Sequence, residues 1–353
     1  MHIAYFITSH GYGHGVRATA IARYFNADVQ ITFRTLLPEQ FFQEELDRPF
    51  KVVKTQYDCG CLQTDGVTVN IGATLDCYKK IADSNRENLE KEVRWCSAQK
   101  VDLIVSDITP FAFDIARFSN LPSVAVTNFT WYDIYSEYLS FFPSFKPYLE
   151  EIKKQYSYAD LLIALQPPMD MGYFRKKTEV PVTGRIGKNR KDEIAGYYGI
   201  DKSKKLGLIY TGDFGMKSAS WNRLSEFCDW EFLGLHPLNC NPSNFHLIDK
   251  NVIPYQDLVA SSDCVISKIG YGVFSECFLN AIPLIYLPRK FFAEYPVLEM
   301  AVKKWGMGNC LSEEQYYNLQ WDKALQHILQ IKPNSKAECS GASVAAELIQ
   351  SLI

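Results

Sequence analysis

Residues 3–7, Ile-Ala-Tyr-Phe-Ile, form a short apolar run that enters Thr8-Ser9-His10-Gly11-Tyr12-Gly13-His14-Gly15-Val16-Arg17. This junction constrains the fold more than any other stretch of the chain. Ala18, Ile21, Ala22 and Phe25 follow at helical spacing. A buried strand, a Gly-rich loop and a helix in succession are how an open α/β sheet begins. The glycines let the backbone approach a ligand, and the helix N-terminus supplies unpaired N–H groups. The loop contains neither G-x-G-x-x-G nor G-K-[ST], so a phosphate cradle is not its evident role. What it offers is imidazole, from His10 and His14.

The rest of the first half repeats the alternation. Strand signals fall at Val29–Phe33, Phe50–Lys54, Leu103–Asp107, Ser123–Thr127 and Asp160–Ala164, with helical stretches at Pro38–Leu46 and Leu75–Ala98. Strands separated by helices imply parallel pairing through right-handed crossovers. From Gln166 to Arg190 the texture changes, with Pro167, Pro168, Gly172, Pro181, Gly184 and Gly187 breaking any long periodic element. This segment is expected to be the inter-domain linker. Its Arg175, Lys176, Lys177, Arg185, Lys188, Arg190 and Lys191 read as a solvated face, with attraction of an anion as the alternative. A second apolar strand enters a Gly loop at Lys205–Gly215, and further signals follow at Glu231–Leu235, Val252–Ile253, Tyr255–Ser261, Cys264–Ser267 and Pro283–Pro288. The expected organisation is an N-terminal Rossmann-like domain over 1–166, a linker over 167–190 and a C-terminal Rossmann-like domain over 191–353. The last helix is expected to be able to pack back on the first domain.

Composition narrows the function classes. At 353 residues the chain is long for one core. A hydrophobic share of 47% with 22% charged residues describes a soluble globular protein. The net charge of −3 gives no footprint for nucleic-acid binding. Ten cysteines include no C-x-x-C, and Cys59-Gly60-Cys61 is the closest pair. Most of the others, such as Cys96, Cys228, Cys264 and Cys277, sit in apolar patterns as small hydrophobes, which reads as a reducing cytoplasm. No run is long enough to span a bilayer and no charged leader precedes the first strand, so a cytoplasmic location is expected. No D-x-D occurs, and the His10–His14 pair in the opening loop is read as acceptor-side imidazoles, so no metal is expected.

The second half carries its own signal at Ser267-Lys268-Ile269-Gly270-Tyr271-Gly272-Val273-Phe274-Ser275-Glu276-Cys277. A strand ends, two glycines follow, and a helix begins near Val273, whose N–H groups favour an anion such as a diphosphate. Glu276 is placed to accept hydrogen bonds from two vicinal hydroxyls, or alternatively to stabilise its own helix start. This stretch, with Ala281-Ile282-Pro283-Leu284-Ile285 and Leu287-Pro288-Arg289, resembles the donor-binding signature of GT-B glycosyltransferases. The resemblance is to the family of the peptidoglycan N-acetylglucosaminyltransferase and to the glycosyltransferase-like N-terminal domain of plant arabinokinases, through the K-I-G-Y-G loop, the acidic segment Phe292-Ala293-Glu294-Tyr295-Pro296 and the opening S-H-G-Y-G-H-G-x-R.

The resemblance implies two Rossmann-like, doubly wound parallel-sheet domains facing a central cleft. It implies Glu276 at the ribose of a nucleotide-sugar, Gly270, Tyr271 and Gly272 at the diphosphate, with Lys268, Ser275 and Arg289 in the same donor-binding set, and Glu294 against the donor sugar. Gly212 and Asp213 match the other phosphate-side loop, with Asp213 alternatively contacting the acceptor or capping a turn. His14 matches the general base of plant-type glucosyltransferases and Asp107 the carboxylate that orients it, with His10 competing for the base role. Asp107 could otherwise cap a helix before Thr109-Pro110. Gly11, Gly13, Arg17 and Trp131 fall on the acceptor side, Arg17 either contacting an anionic group or pairing with a nearby carboxylate. The aromatic segment Phe129–Tyr148 walls the acceptor pocket or simply packs.

The function expected is an inverting, metal-independent glycosyltransferase with a UDP-linked donor as co-substrate, no cofactor, and a small-molecule or lipid-linked hydroxyl acceptor. A nucleotide-sugar 2-epimerase, a non-catalytic nucleotide-sugar binder and a stand-alone relative of the arabinokinase N-terminal domain are the rivals.

Overall fold

The computed structural model describes residues 1–64, 67–210, 220–335, 337 and 340–352. Its first sheet is built from β1 (His2–Ile7), β2 (Gln30–Thr35), β3 (Lys51–Lys54), β4 (Leu103–Asp107), β5 (Ser123–Thr127), β6 (Leu161–Leu165) and β7 (Lys177–Val180). All neighbours are parallel, in the order β3-β2-β1-β4-β5-β6-β7. The helices between them are α1 (Tyr12–Ala22), α2 (Glu39–Glu45), α3 (Ile71–Gln99), α4 (Phe111–Ser119), α5 (Trp131–Ser136) and α6 (Lys146–Tyr156). Every residue of β1 and β4 is buried, as central strands covered on both faces require.

The second sheet contains β8 (Lys205–Tyr210), β9 (Trp230–Gly234), β10 (Phe245–Leu247), β11 (Cys264–Lys268), β12 (Leu284–Leu287) and β13 (Gly308–Cys310). It is parallel throughout, in the order β10-β9-β8-β11-β12-β13. Around it lie α7 (Lys191–Tyr198), α8 (Tyr255–Ser261), α9 (Tyr271–Asn280), α10 (Glu294–Trp305), α11 (Glu313–Tyr317), α12 (Asp322–Ile328) and α13 (Ala342–Gln350). Ala345 and Ile349 of α13 share a hydrophobic core with Ala18 and Ile21 of α1. Asn26 N–H also donates to Gln350 Oε1 at 2.8 Å, so the chain's last helix rests on the first domain. Among the described residues no helix is long and apolar enough to cross a membrane.

Each sheet reverses its strand order once, between β1 and β4 in the first and between β8 and β11 in the second. In open α/β sheets such a switch point opens a crevice at the strand C-termini. In register Ile7 lies beside Asp107, which sets the loop after β1 directly against the end of β4.

Three short strands depart from the sequence expectation. β7 lies inside the segment read as linker and extends the first sheet as an edge strand; three of its four residues are exposed and polar, so no apolar run announces it. β10 and β13 are three residues each, too short to show a period. Val252 and Ile253 fall in a turn, not a strand.

Candidate functional site

α1 starts earlier than the Gly-rich loop suggests, so Gly13, His14 and Gly15 occupy its first turns. Gly15 is required by packing: a Cβ there would come within 2.7 Å of Leu37 and Phe41.

His14 Nδ1 lies 2.8 Å from Asp107 Oδ1. Arg17, one turn further along α1, approaches the same carboxylate twice, Nε to Oδ2 and Nη2 to Oδ1, both at 2.5 Å. Arg17 Nη2 is also 3.0 Å from His14 Nδ1. Two donors converging on one carboxylate oxygen satisfy that geometry, whereas an unprotonated Nδ1 beside Oδ1 would set two lone pairs against each other. The neutral imidazole therefore carries its hydrogen on Nδ1, and Nε2 keeps a lone pair on the cleft side. Burial alone would raise the Asp107 carboxyl, but Arg17 and His14 outweigh it and hold it below the usual carboxylate range. Burial lowers the His14 imidazole; Asp107 opposes that and Arg17 reinforces it, with a net downward shift. His14 is thus a neutral base near neutral pH.

The backbone is bent to deliver Asp107. Ile108, fully buried and β-branched, has φ 61, a conformation that costs energy outside glycine and persists only where surroundings impose it. Tyr156 Oη donates to the Ile108 carbonyl and fixes the bend. α4 is preceded by Pro110, so Asp107 is not a helix cap.

His10 is held in the opposite sense. The backbone N–H of Cys61 donates to His10 Nδ1 at 3.1 Å, which leaves the hydrogen on Nε2 and makes the ring a donor. Burial, then Arg289, His14 and Lys268, push its imidazole well below the usual value. Asp58 steadies this loop by accepting from Thr8 Oγ1 at 2.5 Å, Thr109 Oγ1 at 2.8 Å and the Gly60 N–H at 3.2 Å. Among the described residues no cation lies beside it, and its carboxyl is raised to about 6, chiefly by burial.

The opposing wall belongs to the second domain. Gly270 precedes α9 and has no side chain to cap it, so the first-turn N–H groups open on the cleft. The two domains meet there: a Cβ on Gly272 would lie 3.5 Å from Gly13 Cα, whereas one on Gly11, Gly13 or Gly270 would meet nothing within 4 Å. Between the walls is a cleft of about 850 Å³ lined by both domains, a size suited to a small-molecule ligand. His10, Gly11, Gly13, His14, Arg17, Lys268, Gly270, Tyr271, Gly272, Glu276, Arg289 and Glu294 all line it.

Several expected site residues have other duties. Ser275 Oγ donates to the Gly272 carbonyl at 3.0 Å, packs against Gly184 and is not among the cleft-lining residues, so its side chain serves the helix. The Tyr271 phenol accepts from Thr183 N–H at 3.0 Å and donates to the Gln166 carbonyl at 3.2 Å, so its hydroxyl is spent on the chain between the domains. Trp131 is fully buried behind the histidines, 5.3 Å from the His10 ring. Most of the aromatic segment likewise packs, with Phe129 reaching the cleft. Arg17 pairs with the Asp107 carboxylate. Gly212 and Asp213 lie outside the described residues.

Among the polar contacts that link the two domains, two involve site residues. Arg17 Nη1 donates to Asn128 Oδ1 at 2.7 Å, and Asn128 Nδ2 donates to Glu294 Oε1 at 2.7 Å. A chain of buried bonds thereby runs from His14 through Asp107, Arg17 and Asn128 to the first residue of α10. Arg185, expected on a solvated linker face, is buried; its Nε donates to Glu276 Oε1 at 2.6 Å and its Nη1 pairs with Glu45 of α2. Glu276 is therefore not a cap of its own helix. Burial raises the Glu276 carboxyl, with Arg185 opposing. Asn128, Glu45 and Arg185 have no motif; the signal for Asn128 was its position just past the end of β5.

Two doubly wound parallel domains whose strand C-termini face a shared cleft make this a GT-B fold. The glycotransferase of kitacinnamycin has the same fold, with a TM-score of 0.67 at 14% identity over 100% of this chain and 99% of that one. A UDP-glucosyltransferase from Polygonum tinctorium gives 0.64 at 14% identity over 99% and 92%. In sequence the chain is 32% identical over 358 residues to L-arabinokinase from Arabidopsis thaliana, across 98% of this chain and 34% of that protein. The chain thus spans about a third of the length of that curated relative. No protein-family profile matches the chain.

Proposed function

We propose that the protein is an inverting, metal-independent glycosyltransferase that moves a sugar from a nucleotide-sugar, UDP being the expected carrier, to a hydroxyl acceptor. The observation that carries this reading is the His14–Asp107 pair, with its Nε2 lone pair opening on a cleft whose far wall is an uncapped helix N-terminus. The acceptor O–H gives its proton to His14 Nε2 as its oxygen bonds to the anomeric carbon. The bond from that carbon to the diphosphate breaks, and the leaving oxygen takes the electron pair facing the α9 N–H groups. Attack opposite the departing group inverts the anomeric centre. Asp107 and Arg17 hold the imidazole in its working tautomer, and Glu276 is assigned to the ribose. Kitacinnamycin glycotransferase and the UDP-glucosyltransferase support the reading through the shared fold.

The test is incubation of the purified protein with UDP-glucose, UDP-xylose or UDP-N-acetylglucosamine, with and without a panel of hydroxyl acceptors. UDP release that depends on acceptor and disappears in His14→Ala supports transfer. Conversion of the donor sugar to an epimer without acceptor would replace transferase by 2-epimerase. Thermal stabilisation by no nucleotide at all would sink the donor assignment, because a tight ligand must raise the melting point.

A further inference from the structure

Three arginines line the cleft, and two of them are already neutralised. Arg17 is paired with Asp107, and Arg185 with Glu276 and Glu45. Arg289, on the loop after β12, differs. Among the described residues its guanidinium forms no ion pair within 4 Å and donates no hydrogen bond, and its Nε is buried without a partner. It lies flat over Phe292, with Cζ 3.6 Å from the ring centroid, and Phe292 in turn stacks on His10 at 6.1 Å. This places the cation on the histidine side of the cleft, away from the Arg185–Glu276 pair. Beside it His10 offers an Nε2–H, because its Nδ1 is taken by the Cys61 N–H. Burial disfavours the charged guanidinium, and Glu294, the facing acid, offsets this only from beyond ion-pair distance; an anion bonded directly to the guanidinium recovers the rest of the cost.

We propose that Arg289 and the His10 Nε2–H form an anion subsite beside the proposed base, and that the substrate held there carries a carboxylate or phosphoryl group in addition to the donor diphosphate. This rests on the nucleotide-sugar reading of the cleft. The group belongs either to the transferring sugar, as in a hexuronic acid, or to the acceptor, as in a sugar phosphate. Charge-assisted bonds to guanidinium give such a group its preference over a neutral hydroxyl.

The test is titration calorimetry of the full chain and of Arg289→Gln and Arg289→Lys, using UDP, UDP-glucose, UDP-glucuronate, and glucose 6-phosphate added to UDP-loaded protein. The expected result is that UDP binds all three proteins alike, and that one anionic probe binds wild type about tenfold or more tighter than its neutral counterpart (UDP-glucose or glucose). That preference disappears in Arg289→Gln and partly returns in Arg289→Lys. Preference for UDP-glucuronate places the anion on the donor sugar; preference for the sugar phosphate places it on the acceptor. Loss of UDP affinity in Arg289→Gln would overturn the proposal by assigning Arg289 to the diphosphate, as would equal binding of charged and neutral probes. If no nucleotide binds wild type, the reading of the cleft fails. Inorganic phosphate alone then decides the subsite, binding wild type but not Arg289→Gln if it exists and treating both alike if it does not.

Discussion

α1 and α9 face each other across the cleft, each following one of the two strands that flank its sheet's switch point. Each is preceded by a glycine that provides no side-chain cap, and they touch where Gly272 approaches Gly13. Their equipment differs. α1 carries His14 and Arg17 onto the buried Asp107 carboxylate, so that its N-terminus presents side chains, to which we assign the proton transfer of the proposed reaction. α9 presents backbone N–H groups, and its nearest functional side chain, Glu276, is tied back by Arg185. One local fold thus yields two chemistries, according to whether side chains or main chain face the cleft.

The largest effect that would sharpen this comparison lies on α1. His14→Ala is expected to lower transfer about 10²- to 10⁴-fold while leaving nucleotide affinity intact, as read by steady-state kinetics beside calorimetry. Next, Asp107→Asn leaves Arg17 buried without its anion and is expected to cost about 3–5 kcal/mol of stability in chemical denaturation. Glu276→Gln leaves Arg185 its bond to Glu45 and is expected to cost much less, so equal losses would break the asymmetry. Smaller again, Gly270→Asp supplies α9 with a side-chain cap and a negative charge. It is expected to raise stability by a few tenths of a kcal/mol yet weaken UDP binding at least about tenfold, since the carboxylate takes the N–H groups and repels the diphosphate.

The smallest effect tests the His10 loop. The Asp58 carboxyl titrates at about 6 in the fold, above its ordinary value of 3.8. Its protonated form is therefore favoured by folding, and its contribution is present at low pH and lost as pH rises through about 6. Wild type should gain about 1 kcal/mol relative to Asp58→Asn between pH 7 and pH 5, measured as the difference in melting free energy. A constant difference across that range would contradict the buried, uncompensated carboxylate.

Much of this arrangement was legible in the chain. β1, β4 and β11 announce themselves as apolar runs ending in chemistry, and His14, Asp107, Gly270 and Glu276 were named from those endings and from the resemblance they carry. What escaped has physical causes. β7, β10 and β13 are short, and β7 is an exposed polar edge strand without an apolar run to mark it. Arg185 sits among six other cations in sequence, and composition does not tell a buried arginine from solvated ones. The choice between His10 and His14 depends on which ring nitrogen meets a carboxylate and which meets a backbone N–H, information held only in three dimensions. Ser275 and Trp131 lie next to site residues in sequence but turn away from the cleft, because a helix exposes only one face of each turn.

The central claim is a division of labour between two facing helix N-termini, and calorimetric titration of UDP into wild type, His14→Ala and Gly270→Asp tests it most directly. The account predicts Kd values for wild type and His14→Ala within about twofold of each other and a value for Gly270→Asp at least about tenfold weaker. Loss of UDP binding in His14→Ala, or its retention in Gly270→Asp, would contradict it.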